Sequence, residues 1–382
     1  MGSLLELETV RQCTGETQAL ADHVAARLMA EGGWLPFDRF MHEVLYTPGW
    51  GYYANPSAKL GLMPQDGSDF VTAPELSPWF GRALGRQVAQ ALTATGTDQV
   101  WEFGAGSGAL AEQVLTELTA HGIAPTRYTI VDVSGSLRQR QQARLAAFGE
   151  QVQWADRLPD TLEGVVLGNE VLDAMPVQLL CRQQGRWHER GVTLADASDV
   201  RSWVWADRLT ELRPPVEIAG DHDYLTEIHP QAESFIRTLA DRWTRGAAFF
   251  IDYGFPEAEY YHPQRAMGTL MCHRLHRADA NPLVELGEKD ITAHVNFTGV
   301  ALAAQETGLQ VMGYTSQGRF LLNAGLLDIA AHAPLSEKAH LTRLVHEHEM
   351  GELFKVLALA PAASAQGWLP MGFVRGDRTH TL

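Results

Sequence analysis

Glu170 and Asp173 stand three residues apart in the segment GVVLGNEVLDAMPV, residues 164–177, just past a short apolar run that ends at Asn169. If that segment begins a helical turn, the two carboxylates share a face, so both can meet one cation, grip it from two directions and accept its proton. Pro176 limits how far a regular helix continues. The plainer role for the same acids is to meet the orphan N–H groups of a helix start. A second constellation lies in VWEFGAGSGAL, residues 100–110, where Gly104, Gly106 and Gly108 alternate after an apolar run. Glycines at that spacing let a backbone turn tightly and approach a ligand with no Cβ in between, although a purely structural turn uses them equally well. Asp132, followed by Val133, ends the apolar YTIVDVS, where the next parallel strand places a carboxylate near ribose hydroxyls. Glycine floor and acid together read as a nucleotide or nucleoside site. The third glycine of the dinucleotide fingerprint is replaced by Ala109, which the looser rule accepts, so a nicotinamide cofactor stays open. IDYG at 251–254 repeats the strand-end geometry, with Asp252 as a pocket acid and Tyr253 as a wall.

Such residues need a sheet whose strand ends converge. Apolar runs at 100–103, 128–131, 152–154, 164–167, 247–251, 310–317 and 354–359 predict a doubly wound, mostly parallel seven-stranded α/β sheet. Helices are expected at 76–93, 110–120, 137–147, 227–244, 295–307 and 341–349. Residues 1–84 read as an N-terminal helical lobe, with a helix over 17–30 capped by Thr17, and 85–382 as the sheet domain. Substrate-facing insertions are expected around 178–226 and 255–294. The first holds a hairpin of 177–181 and 187–194 turning at Gly185, then another strand or two within 202–217. PGWGYYANPSAKLG, residues 48–61, reads as a substrate cover or an ordered packing loop, with Tyr52 and Tyr53 as substrate contacts and Lys59 beyond them.

The 382 residues are 45% hydrophobic, enough for a full core, and the formal charge of −16 argues against nucleic acid while suiting a basic partner. Cys13, Cys181 and Cys272 are too few and too scattered for a disulfide framework or a CxxC metal site. No run is long enough to span a bilayer, and Glu6 and Glu8 interrupt the start, so the expectation is a cytoplasmic protein with no membrane partner. His262, Cys272, His273 and His276 invite a metal reading, but the alternation over 268–275 fits a strand at least as well, and no metal is expected. His273 and His294 are instead candidate pocket residues.

The chain resembles the MidA-like S-adenosylmethionine-dependent methyltransferases, a family related to the mitochondrial complex I assembly factor that methylates an arginine. The resemblance rests on GYY at 51–53, TAPELSPWFG at 72–81, EFGAGSG at 102–108, NEVLDAMPV at 169–177, IDYG at 251–254 and DITAHVNF at 290–297, and HPQRAMGTLMCHRLHR at 262–277 is also similar. One departure is Asp132 where relatives often carry Glu, a shorter acid that reaches ribose only if the loop closes nearer. The resemblance implies S-adenosyl-L-methionine as cofactor. Glu102, Gly104, Ala105, Gly106 and Gly108 would hold its methionyl part, Asp132 its ribose, with Val133 and Asn169 alongside. Trp154, Ala155 and Asp156 would flank adenine, a flat apolar face with a polar edge. Thr72, Pro74, Glu75 and Ser77 would lie beside the sulfonium. Glu170 and Asp173 would be the catalytic acids of methyl transfer to a protein arginine in a basic segment, with room for a homodimer. Another protein side chain or a small amine as acceptor, a nicotinamide oxidoreductase and a non-catalytic assembly factor are the alternatives.

Overall fold

Continuous apolar runs, buried on both faces, make the central sheet. In a computed structural model of the chain, which describes residues 2–55, 71–132, 135–331 and 333–382, its main strands are β1 (Gln99–Phe103), β2 (Arg127–Val131), β3 (Val152–Ala155), β4 (Val165–Asn169), β5 (Ala248–Phe255), β6 (Leu309–Ser316) and β7 (Phe354–Pro361). They lie in the order β6-β7-β5-β4-β1-β2-β3. Strands β5, β4, β1, β2 and β3 pair in parallel, while β7 is antiparallel to β5 and β6. The two-residue Val295–Asn296 adds an eighth strand beside β5. Successive side chains of a strand point to opposite faces, so Val165, Leu167, Phe249 and Ile251 enter one core and Val166, Ala248 and Phe250 the other. Helices Pro78–Thr95 and Ala109–Ala120 cover the first face, Pro230–Ala240 and Phe297–Glu306 the second.

After β3 the chain returns to the far side of β1 to form β4. The order therefore reverses between β1 and β4, and the crevice at their carboxyl ends is where open α/β sheets bind ligands.

A second, antiparallel sheet contains the hairpin Gln178–Gln183 and Arg186–Leu194 together with Trp203–Leu209, Tyr224–Ile228 and Leu35–Pro36. Helix Phe37–Tyr46 lays Phe37, Phe40, Met41, Val44 and Leu45 against it, an apolar stripe at i, i+3, i+4, i+7 and i+8. The segment of 255–294 adds a small sheet of Met271–Arg274, Arg277–Asp279 and Asp290–Thr292.

Several boundaries differ from the sequence expectation. The helix expected over 227–244 is a strand, Tyr224–Ile228, a helix that starts at Pro230, and a strand, Trp243–Arg245. Proline at the first helical position loses no bond, and the cross-strand pairing to Gln178–Gln183 claims the residues before it. The helix expected over 295–307 starts at Phe297 because Asn296 caps it, its Oδ1 accepting from Gly299 N at 3.2 Å. A break at Ser77 splits the helix expected over 76–93 into Ala73–Leu76 and Pro78–Thr95. Helix Gly2–Ala30 runs upstream of Thr17, whose hydroxyl donates to Glu288 Oε1 at 2.6 Å instead of capping. The last expected helix lies earlier, at Leu335–Val345, and 202–217 holds one strand. The part of the expected cover at 56–61, including Lys59, lies outside the described residues.

Candidate active site

The crevice opens into a cavity of about 890 Å³ lined by the ends of β1, β2 and β4, the stretch 71–75, Tyr46, Tyr52 and Tyr53, and the segment 265–294. Of the residues singled out in the sequence, Thr72, Pro74, Glu75, Glu102, Gly104, Ala105, Gly106, Asp132, Asn169, Glu170, Asp173, Tyr52, Tyr53, Tyr253, His273 and His294 all face it.

Gly104, Gly106 and Gly108 have φ of 60°, 54° and 83°, the left-handed region that glycine enters freely. A Cβ on Gly104 would stand 3.2 Å from Val171 Cγ2, so the loop passes close under the β4 turn. Gly108 differs from expectation: it caps helix Ala109–Ala120 and packs against Gln141 rather than lining the cavity. The Glu102 carboxyl is buried, pushed up to about 7 by that burial, and accepts from Tyr128 Oη at 2.6 Å. Glu75 meets the Ser107 hydroxyl and accepts from Arg144 at 3.3 Å, which ties the N-terminal stretch to the glycine loop.

Gln141, which sequence reading did not single out, holds two of the lining residues from behind the cavity. Fully buried, its Nε2 donates to Gly106 O and to Asp132 Oδ2, both at 2.9 Å, and its Oε1 accepts from Trp154 Nε1 at 2.9 Å. With its indole N–H donating to Gln141 and its body against the core, Trp154 is not among the residues lining the cavity. Neither are Ala155 and Asp156, the latter paired with Arg138. Ser77 is likewise withdrawn, buried as the cap of Pro78–Thr95. Val133 lies outside the described residues.

The carboxylate corner is a tight turn, not a helix. Glu170 sits at φ 54°, a conformation that costs a non-glycine residue energy and persists only when its surroundings enforce it. Its N–H donates to Ile251 O at 2.9 Å. The enforcing group is Asp252. Instead of facing substrate as expected, Asp252 is buried beneath the turn, its Oδ2 accepting from the N–H groups of Val171, Leu172 and Asp173 at 3.2, 3.0 and 3.3 Å. Burial, then the nearby Asp173 and Glu170, holds its carboxyl well above the usual range.

Burial and then Asp173 push Glu170 up to about 8. Burial lifts Asp173 to about 6 against a lowering hydrogen bond from Tyr253. Asn169 Nδ2 donates to Glu170 Oε1 at 3.0 Å. Asn169 Oδ1 and Asp173 Oδ1 are buried acceptors with no hydrogen-bond partner among the described residues. A third acid, Asp290, faces the same space and accepts from Tyr53 Oη at 2.7 Å. It opens the DITAHVNF segment, so a count of acids at strand starts could have found it. Tyr46 stacks on Tyr53, centroids 5.5 Å apart, and donates to Ala174 O at 2.9 Å. His294 is held down to about 4 by burial and then by Arg265 and Lys355, so it is neutral, edge-on to Tyr253 and Phe255. Arg265, over the Phe255 ring at 3.8 Å, is the one arginine or lysine among the described lining residues.

Cys272 and His276 share no helical face, because Cys272 is in a strand and Leu275–His276 form its turn. Among the described residues no group of three or more His, Cys, Asp or Glu is placed to hold a metal ion, and no helix is long and apolar enough to cross a membrane.

Comparison with known proteins gives three findings. Residues 83–315 match the family described as "Putative S-adenosyl-L-methionine-dependent methyltransferase". The chain is 30% identical to a fruit-fly protein, Protein arginine methyltransferase NDUFAF7 homolog, mitochondrial, over 91% of this chain and 86% of that protein. For the human protein of that name the identity is 28% over 86% and 80% of the two chains. A crystal structure from Burkholderia thailandensis, bound to S-adenosyl-homocysteine, superposes with a TM-score of 0.92 at 48% identity, covering 97% of this chain and 98% of that one. The expected cytoplasmic location is corrected by the curated relatives, since those of fly, mouse, worm and human are all named mitochondrial.

Proposed function

We propose that this chain, which belongs to the S-adenosyl-L-methionine-dependent methyltransferase family matched above, methylates an arginine side chain of a protein. The family cofactor, S-adenosyl-L-methionine, supplies when bound a methyl group activated by a neighbouring sulfonium. On this reading Gly104, Ala105 and Gly106 receive it closely, Glu102 and Asn169 lie alongside, Asp132 takes the ribose hydroxyls, and Thr72, Pro74 and Glu75 close over it. The left-handed glycines, the bare approach at Gly104 and a cavity of about 890 Å³ support that fit.

One observation carries the choice of acceptor. Asp173 Oδ1, beside Glu170, is a buried acceptor with no hydrogen-bond partner among the described residues, so a cationic ligand rich in donors suits the corner. A guanidinium brings five N–H donors in one plane and a positive charge, whereas an ammonium offers three donors from one point. The arginine methyltransferases among the relatives support the same choice.

Glu170 and Asp173 then hold the guanidinium, and their charge concentrates its electron density on the nitrogen turned toward the donor. As that nitrogen takes the methyl group, its proton passes to Glu170, whose burial makes the carboxylate a stronger base than one in water. Tyr52, Tyr53 and Tyr253 wall the side chain, His273 and His294 flank it, and the turn over Asp252 keeps the geometry. A protein carrying a basic segment suits the net charge of −16. The experiment is mass spectrometry of methylated arginines in cells with and without this chain, then transfer to a synthetic peptide bearing the arginine so found. Loss of a specific methylarginine, restored by the peptide assay, is expected; an unchanged methylarginine inventory would defeat the reading.

A further inference from the structure

Met267 is a large apolar side chain held out in solvent at the mouth of the cavity. It is 82% exposed, and Leu353 and Met271, 51% and 37% exposed, share the rim with it. An exposed methionine on a loose loop would mean little, but this backbone is pinned on both sides. Leu225 N donates to Ala266 O at 2.9 Å, and Leu225 and Met267 form a parallel bridge. On the other side the buried Glu227 carboxylate accepts from Thr269 N at 2.8 Å and Leu270 N at 3.0 Å. Between them Gly268 turns at φ 69°, where a Cβ would stand 2.6 Å from Glu227 Oε1, so the segment has little freedom to fold Met267 away.

An apolar rim around a site whose floor carries Glu170, Asp173 and Asp290 is complementary to a chain that alternates charge and grease. The acids can take one cationic side chain. The rim, on the solvent side of the same opening, then faces the residues next to it in sequence. Methionine suits such a surface because its flexible thioether adapts to different apolar partners.

We propose that the rim of Met267, Met271 and Leu353 is a docking surface for a polypeptide segment in which the modified arginine is flanked by apolar residues. This rests on the arginine reading above, and it adds a preference which that reading lacks: sequence context is read by apolar burial at the mouth, not by charge alone.

The test is calorimetric binding of acetylated, amidated tripeptides to the whole protein saturated with S-adenosyl-homocysteine. The probes are Leu-Arg-Leu, Ser-Arg-Ser and Leu-Lys-Leu. In the wild type, Leu-Arg-Leu should bind about tenfold tighter than Ser-Arg-Ser, the order expected for part-burial of a leucine side chain. Met267→Asp and Leu353→Asp, each at an exposed position, should bring that ratio close to one. Equal affinities in the wild type, or a ratio that survives both substitutions, would overturn the docking surface, as would no measurable binding of any peptide. A leucine preference in the arginine peptides together with Leu-Lys-Leu binding as tightly as Leu-Arg-Leu would support the surface while removing the arginine assignment, so the two failures are told apart.

Discussion

Gln141 Nε2 lies 2.9 Å from Asp132 Oδ2, and through the same amide 2.9 Å from the Gly106 carbonyl, so one buried side chain sets both the acid of β2 and the glycine loop after β1. If Asp132 takes a ribose, its orientation depends on this amide. Gln141→Glu should place a second carboxylate against Asp132 and weaken S-adenosyl-homocysteine binding, read by calorimetry, by an order of about 1–3 kcal/mol. Asp132→Asn should cost a similar amount, and the double variant should cost less than the sum, because the two share one interaction. Strict additivity would mean that Gln141 only fills space.

Gly106→Val tests the floor itself. Valine is β-branched and would have to adopt φ near 54°, so cofactor binding should vanish while the melting transition remains cooperative. Wild-type affinity in this variant would remove the loop from the cofactor site.

The Asp252 carboxylate has no place in the cavity, yet its loss should damage transfer. Asp252→Ala strands three N–H groups of the turn, an expected loss of about 1–3 kcal/mol in urea unfolding. Asp252→Asn keeps an acceptor oxygen and should recover most of it. The positioning role predicts a fall in single-turnover rate with cofactor affinity kept; equal losses of both would make Asp252 a general stability residue.

Both acids of the corner have folded-state pKa values above those of the open chain, about 8 for Glu170 and about 6 for Asp173. The folded protein therefore binds more protons than the unfolded one between the two sets of values, and their contribution to stability is largest below pH 4 and is lost as pH rises toward about 8. Glu170→Gln should flatten that part of the slope in melting curves taken across pH 5–9. Binding of a cationic peptide should run the opposite way, tightening as the carboxyls ionise. A peptide affinity independent of pH over this range would contradict the acidic clamp.

The sheet was legible because its strands are buried on both faces and its glycine loop is followed by an acid at the next strand end, and the crevice residues Asp132, Asn169, Glu170 and Asp173 followed from their places at strand ends. Long-range enforcement was not legible. A glutamate at φ 54° looks like the start of a helix until Asp252, from another strand, is seen gripping the turn. The partner of Trp154 was hidden for the same kind of reason: Gln141, from the helix Gly135–Arg144, accepts from its indole N–H. Ser77 was placed beside the sulfonium by the family resemblance alone, whereas its side chain accepts from Trp79 N as the cap of Pro78–Thr95.

The most direct measurement is single-turnover methyl transfer from isotopically labelled S-adenosyl-L-methionine to a substrate peptide and to its arginine-to-lysine counterpart, by wild type and by Glu170→Gln, with cofactor affinity measured separately. The amide can neither pair equally with a guanidinium nor take its proton. Label should enter the arginine peptide alone, and Glu170→Gln should bind the cofactor normally while its transfer falls sharply. Wild-type transfer by Glu170→Gln, or preferred labelling of the lysine peptide, would contradict the account even though the chain is a methyltransferase by family.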